Sequence, residues 1–237
     1  MGWLARCFQS QAVQLSAARF LSLAFSTLDK DYLASRSDPS ARDFLLWTVT
    51  QFRSHEMSSA FAEQVAKNIT YLFDTVVRSD EALRWFCHKL CSMCKFEVVK
   101  LPNEATRRIN IFKVAAAVIL KVEPSHTGIV VDAFLPSLYR EMQGKSAQNT
   151  EVLEQISKEV AETMKGRIGE EEFTKRISEC QKQSAAKFEL RKRKQKEELI
   201  LDPVYATRKK LRRNKAKSGA RRRKFGQKKR LRTGKSN

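Results

Sequence analysis

Cys87, Cys91 and Cys94 are the residues whose type and spacing come nearest to chemistry, because Cys-x3-Cys-x2-Cys is an order in which three thiolates hold an iron–sulfur cluster or contribute to a zinc site. Cluster-binding cysteines of that spacing are presented from a loop. Here the intervals of four and three put all three thiols on one face of a helix, beside Leu83 and Leu90, where small core residues belong. The three histidines, His55, His88 and His126, are far apart in sequence and nothing pairs them with a Ser or Cys nucleophile. No Gly-rich phosphate loop occurs, of either the Gly-x4-Gly-Lys-Ser or the dinucleotide type. Glu170-Glu171-Glu172 is a carboxylate cluster, but it stands at a helix start, where the helix dipole favours negative charge. The expectation is a protein with no catalytic, cofactor-binding or metal-binding residue.

The other concentrated chemistry is positive charge. Of 46 Lys and Arg, 22 lie within residues 187–237 against four acids, Glu189, Glu197, Glu198 and Asp202, so this arm carries +18 of the net +20. Residues 1–186 are left nearly neutral, at +2. A run of like charge that dense repels itself and seeks a polyanion. Its blocks contain Arg191, Lys192, Arg193 and Lys194; Arg208, Lys209, Lys210, Arg212 and Arg213; Arg221, Arg222, Arg223 and Lys224; and Lys228, Lys229 and Arg230. These are the candidate RNA-binding residues, acting electrostatically by releasing the counterions of phosphates. The aromatic content accompanying these basic blocks is Tyr205 and Phe225, too little for a stacking platform, so binding without sequence reading is expected. With no DNA-reading module alongside, structured RNA is favoured over DNA.

The elements that must carry these residues read as helical. Eight Gly and five Pro leave little turn material for an all-β chain. Five cysteines, an odd number, argue against a disulfide framework and for a reducing compartment. The longest apolar stretch, 109–122, contains Lys113 and is shorter than the roughly 20 residues a bilayer crossing needs. Met1-Gly2 is followed by Arg6 rather than the Ser or Thr that favours myristoylation.

Apolar spacings of three and four define the helices, with starts expected at Ser37-Asp38-Pro39, Ser58 or Ser59, Ser79-Asp80-Glu81, Asn103-Glu104 and Ser125. Pro136 implies a kink in the last of these. The helix through Ile109, Ile111, Phe112, Val114, Val118 and Ile119 is apolar almost all round and must be covered on several sides. Starts near 39, 80 and 125 recur at the period of HEAT and armadillo arrays. A second amphipathic helix with Val152, Leu153, Ile156, Val160 and Met164 is broken by Gly166 and Gly169. A long charged helix follows, with a narrow coiled-coil-like seam of Phe173, Ile177, Cys180, Ser184 and Phe188, ending at Asp202-Pro203. The expected fold class is all-α: HEAT/armadillo-like helical hairpin repeats over 1–168, a long charged helix over 169–201, and a basic disordered tail over 202–237.

Residues 1–28 admit two readings. They contain Arg6 and Arg19, several Ser and no acid before Asp29, as a mitochondrial presequence does. They also carry a broad apolar face of Trp3, Leu4, Cys7, Phe8, Leu15, Phe20, Leu21 and Phe25, as a first core helix does. The first reading would make the chain a mitochondrial ribosome-associated RNA-binding protein.

The order Phe173, Cys180-Gln181-Lys182-Gln183, Lys187, Arg191-Lys192-Arg193-Lys194, Asp202-Pro203, Ala206, Arg208-Lys209-Lys210, Lys215-Ala216-Lys217-Ser218 and Arg221-Arg222-Arg223-Lys224 resembles the extreme C-terminus of the U3 small nucleolar RNA-associated protein 20 family. The resemblance covers about the last third of the chain. The family consists of very large HEAT-repeat scaffolds of the small-subunit processome, acting in 18S pre-rRNA processing. The resemblance implies a non-catalytic scaffold in the nucleus and nucleolus. Its implied partners are ribosomal or small nucleolar RNA and protein subunits of a pre-ribosomal assembly, with no membrane.

Overall fold

The computed structural model describes residues 7–215 and 218–219, apart from 9, 11, 36, 38–39, 55–56, 102–103 and 145–150. Trp3, Leu4, Asp38, Pro39, His55 and Asn103 therefore lie outside the described residues. The chain forms two compact units, Met1–Cys180 and Gln181–Asn237. The division falls inside the long charged helix, whose seam residues Phe173, Ile177 and Cys180 pack against the core of the first unit.

In the first unit, α1 spans Gln14–Thr27, α2 Lys30–Ser35, α3 Ala41–Thr50, α4 Ser59–Val76, α5 Asp80–Lys100, α6 Thr106–Lys121, α7 Pro124–Met142 and α8 Glu151–Ile168. Helix α9, Glu170–Leu201, begins in this unit. Every described regular element is helical, and the helices pack in neighbouring pairs: α3 with α4, α5 with α6, α7 with α8, and alternate helices α4 with α6, α5 with α7 and α6 with α8.

Hydroxyl and carboxylate caps set most of the starts. Ser40 opens α3 with a capping box, its Oγ accepting from the Asp43 amide at 3.2 Å while the Asp43 carboxylate accepts from the Ser40 amide at 3.0 Å. The expected opening at Ser37-Asp38-Pro39 is thus displaced to the next serine, which has the acid three residues on. Ser58 Oγ accepts from the Phe61 amide at 3.1 Å, and Ser79 Oγ from the Ala82 amide at 3.2 Å. Ser125 does not cap α7. Pro124 occupies the first turn, where its missing N–H costs nothing. Gly166 stays within α8, whereas Gly169 takes φ +86° and turns the chain into α9.

Helix α6 is the centre of the unit, contacted by α4, α5, α7 and α8. Ile111, Phe112, Val114, Ala115, Val118 and Ile119 are all buried, as an all-round apolar helix requires. Its N-terminus carries no side-chain cap of its own, contrary to the start expected at Asn103-Glu104. Glu97, at the end of α5, supplies it: Oε1 accepts from the Arg107 amide at 2.8 Å and Oε2 from the Arg108 amide at 3.0 Å. At the other end Arg167 of α8 donates from Nε to the Ile119 carbonyl at 3.2 Å and from Nη2 to the Val122 carbonyl at 2.8 Å. An acid at the positive end and a base at the negative end of the helix dipole satisfy the terminal backbone groups that an interior helix leaves unpaired.

The described residues between 7 and 28 contribute to the core. Phe8 meets Trp47 edge-on at 4.9 Å between ring centroids and lies 5.9 Å from Phe61. Ala18, Leu21 and Phe25 are buried, and Asn68 Nδ2 of α4 donates to the Ala18 carbonyl at 3.0 Å. Phe20, expected on the apolar face, points to solvent. The apolar face of this segment covers α4, which is the behaviour of a first core helix.

Candidate nucleic-acid interface

The second unit contains the last turns of α9 and a further helix, α10, over 203–215. The sequence reading expected disorder from residue 202. The same Asp202-Pro203 pair that stops α9 starts α10: the Asp202 carboxylate accepts from the Tyr205 amide at 2.8 Å, and Pro203 sits in the first turn. Pro203 cannot continue α9, since it has no N–H for the preceding turn, yet its fixed φ suits a new first turn.

The two helices close on one another. Lys209 of α10 donates to both oxygens of Glu198 of α9, at 2.6 and 2.9 Å, and its ammonium stands 5.5 Å from the centre of the Tyr205 ring. The Glu198 carboxylate raises the Lys209 pKa by accepting that hydrogen bond. Between the helices runs a cleft of about 500 Å³ lined by Lys192, Gln195, Lys196, Glu198 and Leu199 on one side and Ala206, Lys209, Lys210, Arg213 and Asn214 on the other. Five cations thus face one carboxylate, and that carboxylate is committed to Lys209. The remaining four, Lys192, Lys196, Lys210 and Arg213, line the trough with no ion pair among the described residues.

Among the predicted site residues, Arg191, Lys192, Arg193 and Lys194 are exposed on α9, and Arg208, Lys209, Lys210, Arg212 and Arg213 are exposed on α10. The cleft gathers Lys192, Lys209, Lys210 and Arg213 from separate blocks. Lys196 was missed as a site residue although it belongs to the first block; its spacing of four from Lys192 is the signal that both share a helix face. Arg221, Arg222, Arg223, Lys224, Lys228, Lys229 and Arg230 lie outside the described residues.

The first unit offers a contrasting cavity, about 700 Å³, lined in part by Lys30, Lys113 and Lys121. With Lys67 and Glu63 also in the lining, four bases face two acids: Asp74 Oδ2 takes Lys121 at 2.8 Å and Lys30 at 3.4 Å and Glu63 takes Lys67 at 3.1 Å, so half of that charge is returned within the fold. The strong positive field belongs to the arm.

The structure places the three spaced cysteines in the core. Cys87, Cys91 and Cys94 are buried on α5, and burial pushes the thiols of Cys87 and Cys91 from 9.0 up to about 12 and that of Cys94 well above its ordinary value. Buried and protonated, the three thiols pack as small core residues do. Cys91 Sγ instead lies 3.3 Å from the Ala133 carbonyl of α7, to which it donates. Among the described residues no three His, Cys, Asp or Glu side chains are grouped to hold a metal ion. His126 Nε2 lies 3.1 Å from Asp80, an exposed pair, and His88 is exposed. No described helix is long and apolar enough to cross a membrane.

A cluster that sequence reasoning did not anticipate lies in the first unit. Arg107, Arg108, Glu97 and Glu141 are fully buried or nearly so. Arg108 Nε meets Glu97 at 2.8 Å and its Nη1 meets Glu141 at 3.0 Å, while Arg107 donates from Nε to the Phe52 carbonyl at 2.6 Å and also reaches Glu104 and the Ser54 carbonyl. With half-buried Arg140 on Glu141, three bases face three acids. The cluster is electrically balanced and ties α5, α6 and α7 to the turn at 51–54, which makes it architectural.

A family model described as small subunit processome component 20 homolog, C-terminal, matches residues 1–227. No solved structure matches the chain. The chain belongs to this family: it is a non-catalytic component of the small-subunit processome and acts in ribosome biogenesis, within a pre-ribosomal assembly of RNA and protein.

Proposed function

We propose that this member of the small subunit processome component 20 family works as a nucleolar scaffold in two parts. Its helical body, built of HEAT/armadillo-like hairpins, docks on protein subunits of the pre-ribosome. Its basic arm, from residue 187 onward, holds ribosomal or small nucleolar RNA by the phosphates. The observation that carries the second part is the cleft between α9 and α10, where Lys192, Lys196, Lys210 and Arg213 line one trough and a single carboxylate, already paired, opposes them. None of the described residues lining the cleft is aromatic, so it offers no stacking face for an unpaired base. Positive charge without a reading surface fits a holder of phosphate backbones.

The helix pairing supports the repeat reading, since α3, α5 and α7 start at Ala41, Asp80 and Pro124, close to the period of such arrays, and each packs on its successor. The test is RNA binding by the full chain and by the chain lacking 187–237, across a salt series and with both native and scrambled RNA. Steeply salt-dependent affinity that survives scrambling and disappears with the arm is the expected result. Unchanged affinity after the deletion would refute the arm's role. A fluorescent fusion should concentrate in the nucleolus.

A further inference from the structure

We propose that the corner between α9 and α10 is a docking point for a protein of the same assembly, one that offers an apolar groove rimmed by carboxylates. Leu199, Ile200, Leu201 and Val204 surround the Asp202-Pro203 break, and they are 55%, 79%, 84% and 60% exposed. A lone exposed leucine needs no explanation, but four large aliphatic side chains exposed within six positions, where α9 ends and α10 begins, concentrate apolar surface into a knob of the kind that marks a protein contact.

Charge decides among the occupants. The runs on either side of it along the chain include the exposed bases Arg193 and Lys194 of α9 and Arg208 and Arg212 of α10, none of which lines the cleft. A second copy would bring a second arm of the same sign against it, so self-association through this corner is opposed by Coulomb repulsion. RNA phosphates can neutralise the flanking bases, yet they offer nothing apolar for Ile200 and Leu201 to bury against. A groove with an apolar floor and acidic rim satisfies both, burying the knob and pairing the bases around it. The inference goes beyond the RNA contact of the arm and stands without it, since the cleft cations and the knob are different groups.

The experiment places a photo-crosslinking p-benzoylphenylalanine at position 200 of the full chain in cells, with position 189 as an exposed control, and sequences the adduct from pre-ribosomal particles. The expected adduct is a peptide of another protein whose neighbourhood holds more Asp and Glu than Lys and Arg, formed from position 200 in excess over position 189. An RNA adduct, an adduct to a second copy or to residues 1–180 of the same chain, a basic peptide, or no excess over the control would each overturn the proposal. In parallel, the double variant Ile200→Gln, Leu201→Gln keeps good helix formers at both positions. Its co-sedimentation with pre-ribosomal particles should fall roughly tenfold while the RNA affinity of the purified chain stays within about twofold. Co-sedimentation that does not fall, or falls only in step with RNA affinity, would also overturn it.

Discussion

Glu97 and Arg108 meet at 2.8 Å with neither side chain exposed, and the same carboxylate accepts the backbone amides of Arg107 and Arg108 at the start of α6. One side chain is thus both helix cap and counter-ion, so its loss leaves the buried Arg108 guanidinium with Glu141 as its carboxylate partner and uncaps the central helix together. Replacing Glu97 by Ala should destabilise the fold by about 3–5 kcal/mol, the range for breaking a buried pair at one end. Urea denaturation followed by circular dichroism reads this directly. A cost below about 1 kcal/mol would mean that water or a neighbouring carboxylate replaces Glu97.

Leu21 and Asn68 fasten the first helix to α4. Leu21→Ala should cost about 2–5 kcal/mol, as for other buried leucines, and removal of residues 1–28 should lower the thermal midpoint of the body. A truncated chain with unchanged thermal stability would make this segment a dispensable leader instead of a core element.

Native-state alkylation should separate the five cysteines. Cys87, Cys91 and Cys94 are buried with raised pKa values, whereas Cys7 and Cys180 are only partly covered. Iodoacetamide at pH 8 followed by peptide mass spectrometry should label Cys7 and Cys180 first, with the other three labelled only after denaturation. The linkage has a sign: the unfolded thiols ionise near their ordinary 9.0 while Cys87 and Cys91 in the fold hold their protons to about 12, so between those values the unfolded state binds fewer protons and stability falls as pH rises. Below pH 9 these thiols contribute no pH dependence.

Within the cleft, Lys209 and Lys210 are neighbours with different prospects. Lys209 is held by Glu198, and Lys210 has no such partner among the described residues. Lys210→Gln should weaken RNA binding more than Lys209→Gln, and Glu198→Gln should strengthen it by removing the one acid in the trough. Neutralising Lys192, Lys196, Lys210 and Arg213 together should flatten the logarithmic salt slope by roughly 0.7–0.9 for each phosphate that the variant leaves unneutralised. Equal slopes for variant and native chain would place the RNA elsewhere on the protein.

Asp202→Ala should release the start of α10, since the Asp202 carboxylate accepts the Tyr205 amide there. The expected local cost is about 0.5–2 kcal/mol, visible as faster hydrogen exchange over 203–215 with no change in the body.

Much of this protein is legible from spacing. The apolar periods of α4, α5 and α6 mark their buried faces, and the hydroxyls of Ser58 and Ser79 mark two starts, because those signals are local: a helix turn brings together residues three and four apart. The single-faced cysteines, the long charged helix and the polycationic arm follow from the same kind of reading. Local signals also explain two misses. Asp202-Pro203 reads equally as a stop and as a start, and only the packing of Lys209 on Glu198 shows that a second helix follows. Ser40 won over Ser37 because Asp43 completes its capping box.

Arg107, Arg108, Glu97 and Glu141 are charged letters in a sequence, and charged letters read as surface. What put them inside is the fold. The sequence alone determined helices, their inward faces and a positive charge concentrated in the arm, all properties set by neighbours along the chain. The tertiary structure alone decided which acid caps which helix, which bases share a cleft and which are already paired, because those depend on side chains dozens of positions apart meeting in space, where distance and burial fix the energy of every charge.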